Sequence, residues 1–130
     1  MLHHLTLWVP DLERARRSWS WLLGELGYEQ DRSVERIALF RHDSGFALAL
    51  EQSPDMVPGM LYSRLRPGLN HLAFSLDSNG PLLTRMLDAA ADHGWSRMSV
   101  DAHSIAQGAQ VAYLEDRDGF EVELVARPSV

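Results

Sequence analysis

Four side chains in this sequence have the types and spacing that metal chemistry requires: His4, Glu51, His71 and Glu123. The two histidines lie in similar apolar segments, and a glutamate follows each of them later in the chain. Imidazole nitrogens and carboxylate oxygens suit a divalent transition ion, and two of each leave positions open for water or substrate. Such an ion polarises a carbonyl and stabilises the anion that forms when a neighbouring base removes an α-proton.

The strands that carry the two histidines are predicted to be repeats of each other. Leu2 to Val9 alternates apolar and polar residues, which is typical of a strand with one buried face, and His4 lies on the other face. Leu69 to Asp77 repeats this alternation, and aligning Leu69 with Leu2 places His71 at the position of His4. A helix with a capping or proline start and a glycine end is predicted after each strand, at Asp11 to Gly27 and Pro81 to Gly94.

Two hairpins also match without a gap. Arg36 to Phe46 superposes on Gln110 to Phe120, which aligns a glycine in each turn. One strand–helix–strands unit cannot bury both faces of its sheet, but two packed units can. The sequence therefore predicts an α+β fold of two modules whose curved sheets line a cup. The predicted boundaries within a single domain are residues 1–53 for module 1, 54–68 for a linker and 69–130 for module 2.

The two glutamates are not equally placed. Glu123 lies in mid-strand between apolar neighbours, where a carboxylate is rare, and burial there would require a cation. Glu51 has the same strand parity, but it lies two residues beyond Ala49, which is the repeat equivalent of Glu123. Both glutamates are therefore predicted on the cup face, with Glu51 one step further along its strand.

The other candidates are weaker. Trp8 and Tyr113 are predicted to line a substrate cavity, although packing would explain them nearly as well. His3 is one residue out of phase with His4 and is predicted to be structural. The remaining histidines are predicted on the solvated surface: His42 in a turn, His93 at a helix end and His103 in a loop.

Composition limits the classes of function. Eighteen acidic against twelve basic residues give a net charge of −6, which argues against non-specific binding of nucleic acid. The absence of cysteine excludes a disulfide scaffold, a thiolate nucleophile and a cysteine zinc site. The first residues lack the long apolar run of a signal peptide or membrane span. We therefore expect a cytoplasmic protein that binds a small molecule and neither nucleic acid nor membrane.

The doubled βαβββ plan, with HLTLWVPDL opening the first copy, NHLAFSLD opening the second and EDRDGFEVEL closing it, resembles the vicinal oxygen chelate superfamily. That group includes glyoxalase I, methylmalonyl-CoA epimerase, extradiol dioxygenases, fosfomycin-resistance enzymes and bleomycin-binding proteins. The resemblance covers nearly the whole chain and implies curved mixed sheets around a cup. It is specific for the fold but not for the function, because this fold carries several reactions.

By this resemblance, His4 and His71 match the first-strand ligands of the two modules, and Glu123 matches the last-strand glutamate. Glu51 is the best match for the ligand of the first module. Such a His-Glu-His-Glu set is similar to that of bacterial glyoxalase I. It implies a lyase or isomerase that acts on an α-hydroxycarbonyl bound to the ion through two oxygens, with Glu123 or Glu51 as general base. The implied cofactor is a divalent ion such as Ni, Zn, Fe, Mn or Co.

The resemblance leaves two alternatives open. A set of only His4, His71 and Glu123 resembles the facial triad of extradiol dioxygenases, with iron and a position for O2. A metal-free binding protein of the bleomycin-resistance type is the other alternative, but such proteins typically lack the ligand set. The superfamily also implies a homodimer, with the cup built within one chain or across two.

Overall fold

The computed structural model describes residues 1–99 and 108–128. The chain divides into two compact units, residues 1–61 and residues 62–130. Among the described residues, each unit contains one α-helix and one four-stranded mixed sheet, which confirms the predicted α+β class and the presence of two modules. In the part of the chain that the structure describes, no helix is long and apolar enough to cross a membrane.

The first unit follows the predicted order of strand, helix and three strands. Its elements are β1 (His4–Trp8), α1 (Leu12–Glu25), β2 (Glu29–Asp31), β3 (Ile37–Arg41) and β4 (Ala47–Glu51). The sheet order is β1-β4-β3-β2, and β1 runs parallel to β4 while the other pairs are antiparallel. Helix α1 begins where the side chain of Asp11 accepts a hydrogen bond from Arg14 N at 3.0 Å, as the sequence predicts for an N-cap.

The second unit repeats this arrangement. Its elements are β5 (His71–Ser75), α2 (Gly80–Ala89) with a following 3-10 turn (Ala90–His93), β6 (Ser96–Met98), β7 (Gln110–Glu115) and β8 (Glu121–Ala126). The sheet order is β5-β8-β7-β6, again with one parallel pair between the first and last strands. Asn79 is the N-cap of α2 and accepts from Leu82 N, one residue after the position that the repeat aligns with Asp11.

The two hairpin turns share one hydrogen-bond pattern. In the second, Asp116 N donates to Phe120 O at 2.9 Å, and in the first the equivalent bond joins His42 N to Phe46 O at 3.0 Å. The Asp116 carboxylate accepts hydrogen bonds from Asp118 N and from Phe120 N, both at 2.9 Å. His42 Nδ1 accepts from Ser44 N at 3.0 Å in the corresponding place. The repeat of the hairpin is therefore visible in the turn geometry as well as in the sequence.

The apolar sets of the strands pack against the helices, as their alternation predicts. In each unit the helix lies against the two strands of the hairpin, and the side chains between them are almost fully buried. Burying one such side chain contributes about 1.5–3 kcal/mol, so these positions stabilise each unit and orient the opposite faces of the sheets. The largest buried apolar side chains include Trp19, Leu22, Phe40 and Leu48 in the first unit and Met86, Trp95, Leu114 and Leu124 in the second.

Candidate metal-binding and catalytic residues

Strands β5 and β8 bring His71 and Glu123 together. In the parallel register His71 is level with Glu121, and Ala73 is level with Glu123, so the four side chains lie on one face of the sheet. Nε2 of His71 lies 3.1 Å from Oε2 of Glu123. The carboxylate side chain is 2% exposed and the imidazole is 34% exposed. Glu123 is therefore buried, as its apolar neighbours in sequence predict, and an imidazole lies beside it.

The donor atoms of this pair fit a divalent ion. Two ligands bound to one ion at about 2.1 Å and at right angles to each other are about 3.0 Å apart. The observed 3.1 Å between His71 Nε2 and Glu123 Oε2 therefore matches neighbouring positions in a coordination shell as well as it matches a hydrogen bond. The other ring nitrogen, Nδ1, is directed at Asn70 Oδ1, 2.8 Å away. Nε2 is thus the atom that His71 would offer to an ion.

Tyr113 lies beside the pair. In the antiparallel register of β7 and β8 it is level with Glu123, and its ring meets the His71 ring edge-on with centroids 6.1 Å apart. The side chain is buried, so it restricts the volume next to the imidazole and the carboxylate. Its role in substrate binding stays a prediction.

An arginine that the sequence analysis did not single out lies on the same face. Arg64 Nε is 3.5 Å from Glu121 Oε2, and both side chains are mostly buried. The segment that carries Arg64 is fixed to the unit because Tyr62 stacks on Phe120 with ring centroids 4.1 Å apart and donates a hydrogen bond to Leu69 O. Partial burial raises the pKa of Tyr62 above its ordinary value, while Arg64 acts in the opposite direction and Glu121 raises it further.

In the first unit the register separates His4 from Glu51. His4 is level with Ala47 on β4, and Glu51 is level with Trp8, four residues further along. At about 3.3 Å per residue the two positions are about 13 Å apart along the strands. Ala49, level with Thr6, occupies the place that corresponds to Glu123. The neighbouring apolar ring of Trp8 is 47% exposed.

His3 differs from its predicted place. The alternation of the first strand puts it on the helix side, but β1 begins only at His4 and the side chain of His3 is exposed. Its Nδ1 lies 2.8 Å from Nδ1 of His4, so the two imidazoles are in direct contact. The strand period does not apply to a residue that precedes the first ladder pair, which explains the difference.

The remaining histidines have ordinary structural roles where they are described. His42 is half-buried rather than fully solvated, because its ring lies against Tyr28 with centroids 4.9 Å apart and its Nδ1 accepts in the hairpin turn. His93 is exposed at the end of the 3-10 turn, as predicted. His103 lies outside the described residues. Within residues 1–99 and 108–128, no three His, Asp or Glu side chains form a group that could hold one ion, and the four-residue ligand set stays a prediction.

Comparison with known proteins identifies the family. A sequence model described as the Glyoxalase/Bleomycin resistance protein/Dioxygenase superfamily matches residues 3–113. An uncharacterized protein of Bacillus subtilis (strain 168), YqjT, is 35% identical over 127 residues, which cover 96% of this chain and 98% of the relative.

Solved structures agree in fold. A protein from Bacillus halodurans, described as a candidate glyoxalase, is 34% identical with a TM-score of 0.82, covering 97% of this chain and 95% of that one. A mutant of the fosfomycin resistance protein FosX from Listeria monocytogenes, solved with Mn(II) and 1S,2S-dihydroxypropylphosphonic acid, has a TM-score of 0.66. It is 20% identical and covers 98% of this chain and 90% of its own, so it shows the fold alone. The chain belongs to the Glyoxalase/Bleomycin resistance protein/Dioxygenase superfamily.

Proposed function

We propose that this protein is a metal-dependent enzyme of glyoxalase type, a lyase or isomerase, that acts on a small α-hydroxycarbonyl-like substrate bound to a divalent ion through two oxygens. The observation that carries the proposal is the pair of His71 Nε2 and Glu123 Oε2, 3.1 Å apart, with the carboxylate 2% exposed. A divalent ion beside this buried carboxylate, on the sheet face opposite the helix, would offset the cost of its desolvation. Membership of the superfamily supports the same assignment.

In this proposal the ion is held by His71 and Glu123, with His4 as the third ligand. His4 is the repeat equivalent of His71, and we retain it on that ground, from the same chain or from the second copy of a homodimer. Glu51 is not included, because about 13 Å of strand separates its position from that of His4. Metal–ligand bonds of about 2.1 Å on side chains that stand perpendicular to a sheet do not span that distance.

The reaction that this set supports is a proton transfer next to a carbonyl. A bound divalent ion would polarise the carbonyl of a substrate that chelates it through two oxygens. Glu123 would leave the ion and act as the general base. It would accept the proton from the carbon next to the carbonyl and, in an isomerisation, return it to the carbonyl carbon. The buried ring of Tyr113 would restrict water next to the carboxylate, and the exposed ring of Trp8 would contact the less polar part of the substrate.

The separation of Glu51 from His4 along the strands also favours a second candidate function, in which three residues bind the ion. Two histidines and one carboxylate form the ligand set of non-haem iron oxygenases, which leaves positions for O2 and a catechol. An extradiol-type dioxygenase would use the same residues, His4, His71 and Glu123, and would require Fe(II).

The proposal is tested by metal content and metal affinity. Protein purified without an affinity tag is analysed as isolated and then titrated with Ni, Zn, Mn, Co and, without oxygen, Fe(II). The variants are His71→Ala, His4→Ala and Glu51→Ala, the last serving as the control on the same sheet face. We expect near-stoichiometric binding in the wild type and in Glu51→Ala, and a loss of at least a hundredfold in affinity in both histidine variants.

The metal then selects the substrates to be tried. Activity on α-hydroxycarbonyl compounds with Ni, Zn, Mn or Co supports the lyase or isomerase. Oxygen uptake with catechols that depends on Fe(II) would instead support the dioxygenase. A wild-type protein that binds none of these ions would contradict both enzyme assignments and would favour a metal-free binding protein.

A further inference from the structure

Asn70 joins His71 to the segment that precedes it. Its side-chain oxygen, Oδ1, lies 2.8 Å from His71 Nδ1, and its side-chain nitrogen, Nδ2, donates to the backbone carbonyl of Arg64 at 3.0 Å. A backbone carbonyl only accepts hydrogen bonds, so the NH2 group of the amide must face Arg64. The orientation of the amide is thereby fixed, and the oxygen must face the imidazole.

The amide orientation determines which nitrogen of His71 carries a proton. Because Asn70 Oδ1 is an acceptor, the short contact is a hydrogen bond only if His71 Nδ1 donates. In the neutral imidazole the proton is then on Nδ1, and Nε2 carries a lone pair. That lone pair faces the carboxylate oxygen of Glu123 at 3.1 Å, which also carries lone pairs. A divalent ion placed between these two atoms would accept both lone pairs as ligands.

We infer that Asn70 is a positioning residue that holds neutral His71 with its proton on Nδ1, so that Nε2 is available to a divalent ion beside Glu123. This inference rests on the proposed function as far as the ion is concerned. Without Asn70, the imidazole can carry its proton on Nε2 and donate it to Glu123, and an ion would first have to displace that proton. Replacing the hydrogen-bond partner of a ligating histidine typically lowers metal affinity about 10–100-fold.

The acceptor for Asn70 is itself held in place. The Arg64 side chain pairs with Glu121, and Tyr62 stacks on Phe120 while its hydroxyl donates to Leu69 O. These contacts fix the backbone on both sides of the Arg64 carbonyl relative to β8. The orientation of the Asn70 amide, and through it the tautomer of His71, is therefore set by the segment between the two predicted modules.

Two substitutions of Asn70 separate its hydrogen bond with His71 from its hydrogen bond to the Arg64 carbonyl. Asn70→Ala removes the acceptor for His71 Nδ1, whereas Asn70→Asp keeps an acceptor, removes the donor to the Arg64 carbonyl and adds a negative charge. Asn79→Ala is the matched control, because Asn79 is an exposed helix N-cap whose loss should cost about 0.5–2 kcal/mol of stability without touching His71. The first readout is the 15N NMR signal of His71 in metal-free protein, at a pH where the imidazole is neutral. The second is zinc affinity measured by competition with a chelator.

We expect the Nδ1-protonated tautomer in the wild type, in Asn70→Asp and in Asn79→Ala, and a shift to the Nε2-protonated tautomer in Asn70→Ala. Zinc affinity should fall about 10–100-fold in Asn70→Ala and should be equal or tighter in Asn70→Asp. An unchanged tautomer in Asn70→Ala overturns the inference while the proposed function stands. If the wild type binds no metal, the proposed function fails, and the tautomer comparison alone decides whether Asn70 positions His71.

Discussion

The carboxylate of Glu123 and the imidazole of His71 meet at 3.1 Å on neighbouring parallel strands, and the carboxylate is almost fully buried. Their positions are offset by two residues along the ladder, so the side chains meet diagonally rather than side by side. In the first unit the same diagonal joins His4 to Ala49, whose side chain has no atom that could bind a metal ion. The two halves of the chain therefore share a sheet geometry, but only the second unit has both members of the pair.

Replacing Glu123 should separate metal binding from folding. Glu123→Gln keeps the shape of the side chain and removes its charge. We therefore expect the free energy of unfolding of the metal-free variant to lie within about 1 kcal/mol of the wild-type value. A ligand at a hundred times its Kd stabilises the folded state by about 2.7 kcal/mol, and this gain should be largely lost in the variant. Denaturant unfolding with and without excess zinc measures both quantities.

Glu121→Gln is the control for this substitution, because Glu121 lies on the same face of β8 and its carboxylate contacts Arg64. It should retain the stabilisation by zinc. If Glu123→Gln retained the stabilisation by zinc as fully as Glu121→Gln, Glu123 would not be a ligand.

Restoring the missing carboxylate should strengthen the site. Ala49→Glu places a carboxylate on the diagonal from His4, at the position equivalent to Glu123. Because Ala49 is 4% exposed, the metal-free variant should lose about 2–5 kcal/mol of stability from the buried charge. With metal present, affinity should rise at least tenfold over the wild type, and the lost stability should be recovered. Isothermal titration with zinc and thermal unfolding provide the two measurements.

Ala47→Glu is the matched control, since Ala47 is equally buried on the same strand but lies level with His4. The equivalent position in the second unit is Glu121, whose carboxylate lies against Arg64. Ala47→Glu should cost similar stability without the gain in affinity. If it bound zinc as tightly as Ala49→Glu, the diagonal arrangement would not be the cause.

The repeat and the strand alternation were sufficient to predict the fold. Residues that the sequence repeat treats as equivalent occupy equivalent places in the two parallel ladders, where His4 pairs with Ala47 and His71 with Glu121. The burial of Glu123 followed from its apolar neighbours. The short strands β2 and β6 have only three residues each, too few for alternation to define their bounds.

The partners of the site residues were less accessible to sequence analysis. Asn70 and Arg64 lie in a stretch without helix or strand, where no period predicts which side chains meet. The signal for Asn70 was its position directly before His71, but an adjacent residue in an extended chain normally points away. The contact of His3 with His4 was missed for the same reason. Such contacts depend on loop conformation, which is set by tertiary packing.

The turn before β8 should depend on the Asp116 side chain. This buried carboxylate accepts hydrogen bonds from Asp118 N and Phe120 N, both at 2.9 Å, so Asp116→Ala leaves two turn amides without their acceptor. We expect a loss of about 1–3 kcal/mol in the free energy of unfolding, measured with denaturant. Asp43→Ala, at an exposed position in the equivalent turn, should change it by less than about 0.5 kcal/mol. Equal effects would mean that the side-chain bonds of Asp116 do not hold the turn.

Tyr62 should make folding sensitive to alkaline pH. Burial raises the pKa of Tyr62 above its ordinary value of 10.0, so the folded state favours the neutral phenol more than the unfolded state does. That contribution is complete below pH 10 and declines as the pH rises through the folded-state pKa. Tyr62→Phe keeps the stacking on Phe120 and removes the hydroxyl that donates to Leu69 O, so it should cost about 0.5–1.5 kcal/mol at neutral pH.

Above pH 10 the difference between the wild type and Tyr62→Phe should narrow, because only the wild type loses the contribution of the Tyr62 phenol. The raised pKa of Tyr28, which has the same cause, is common to both proteins and cancels in the comparison. Unfolding free energies measured with denaturant from neutral pH to about pH 11 provide the check. A difference that stays constant across this range would show that Tyr62 ionises alike in the folded and unfolded states, and that the segment carrying Arg64 does not shield its hydroxyl from water.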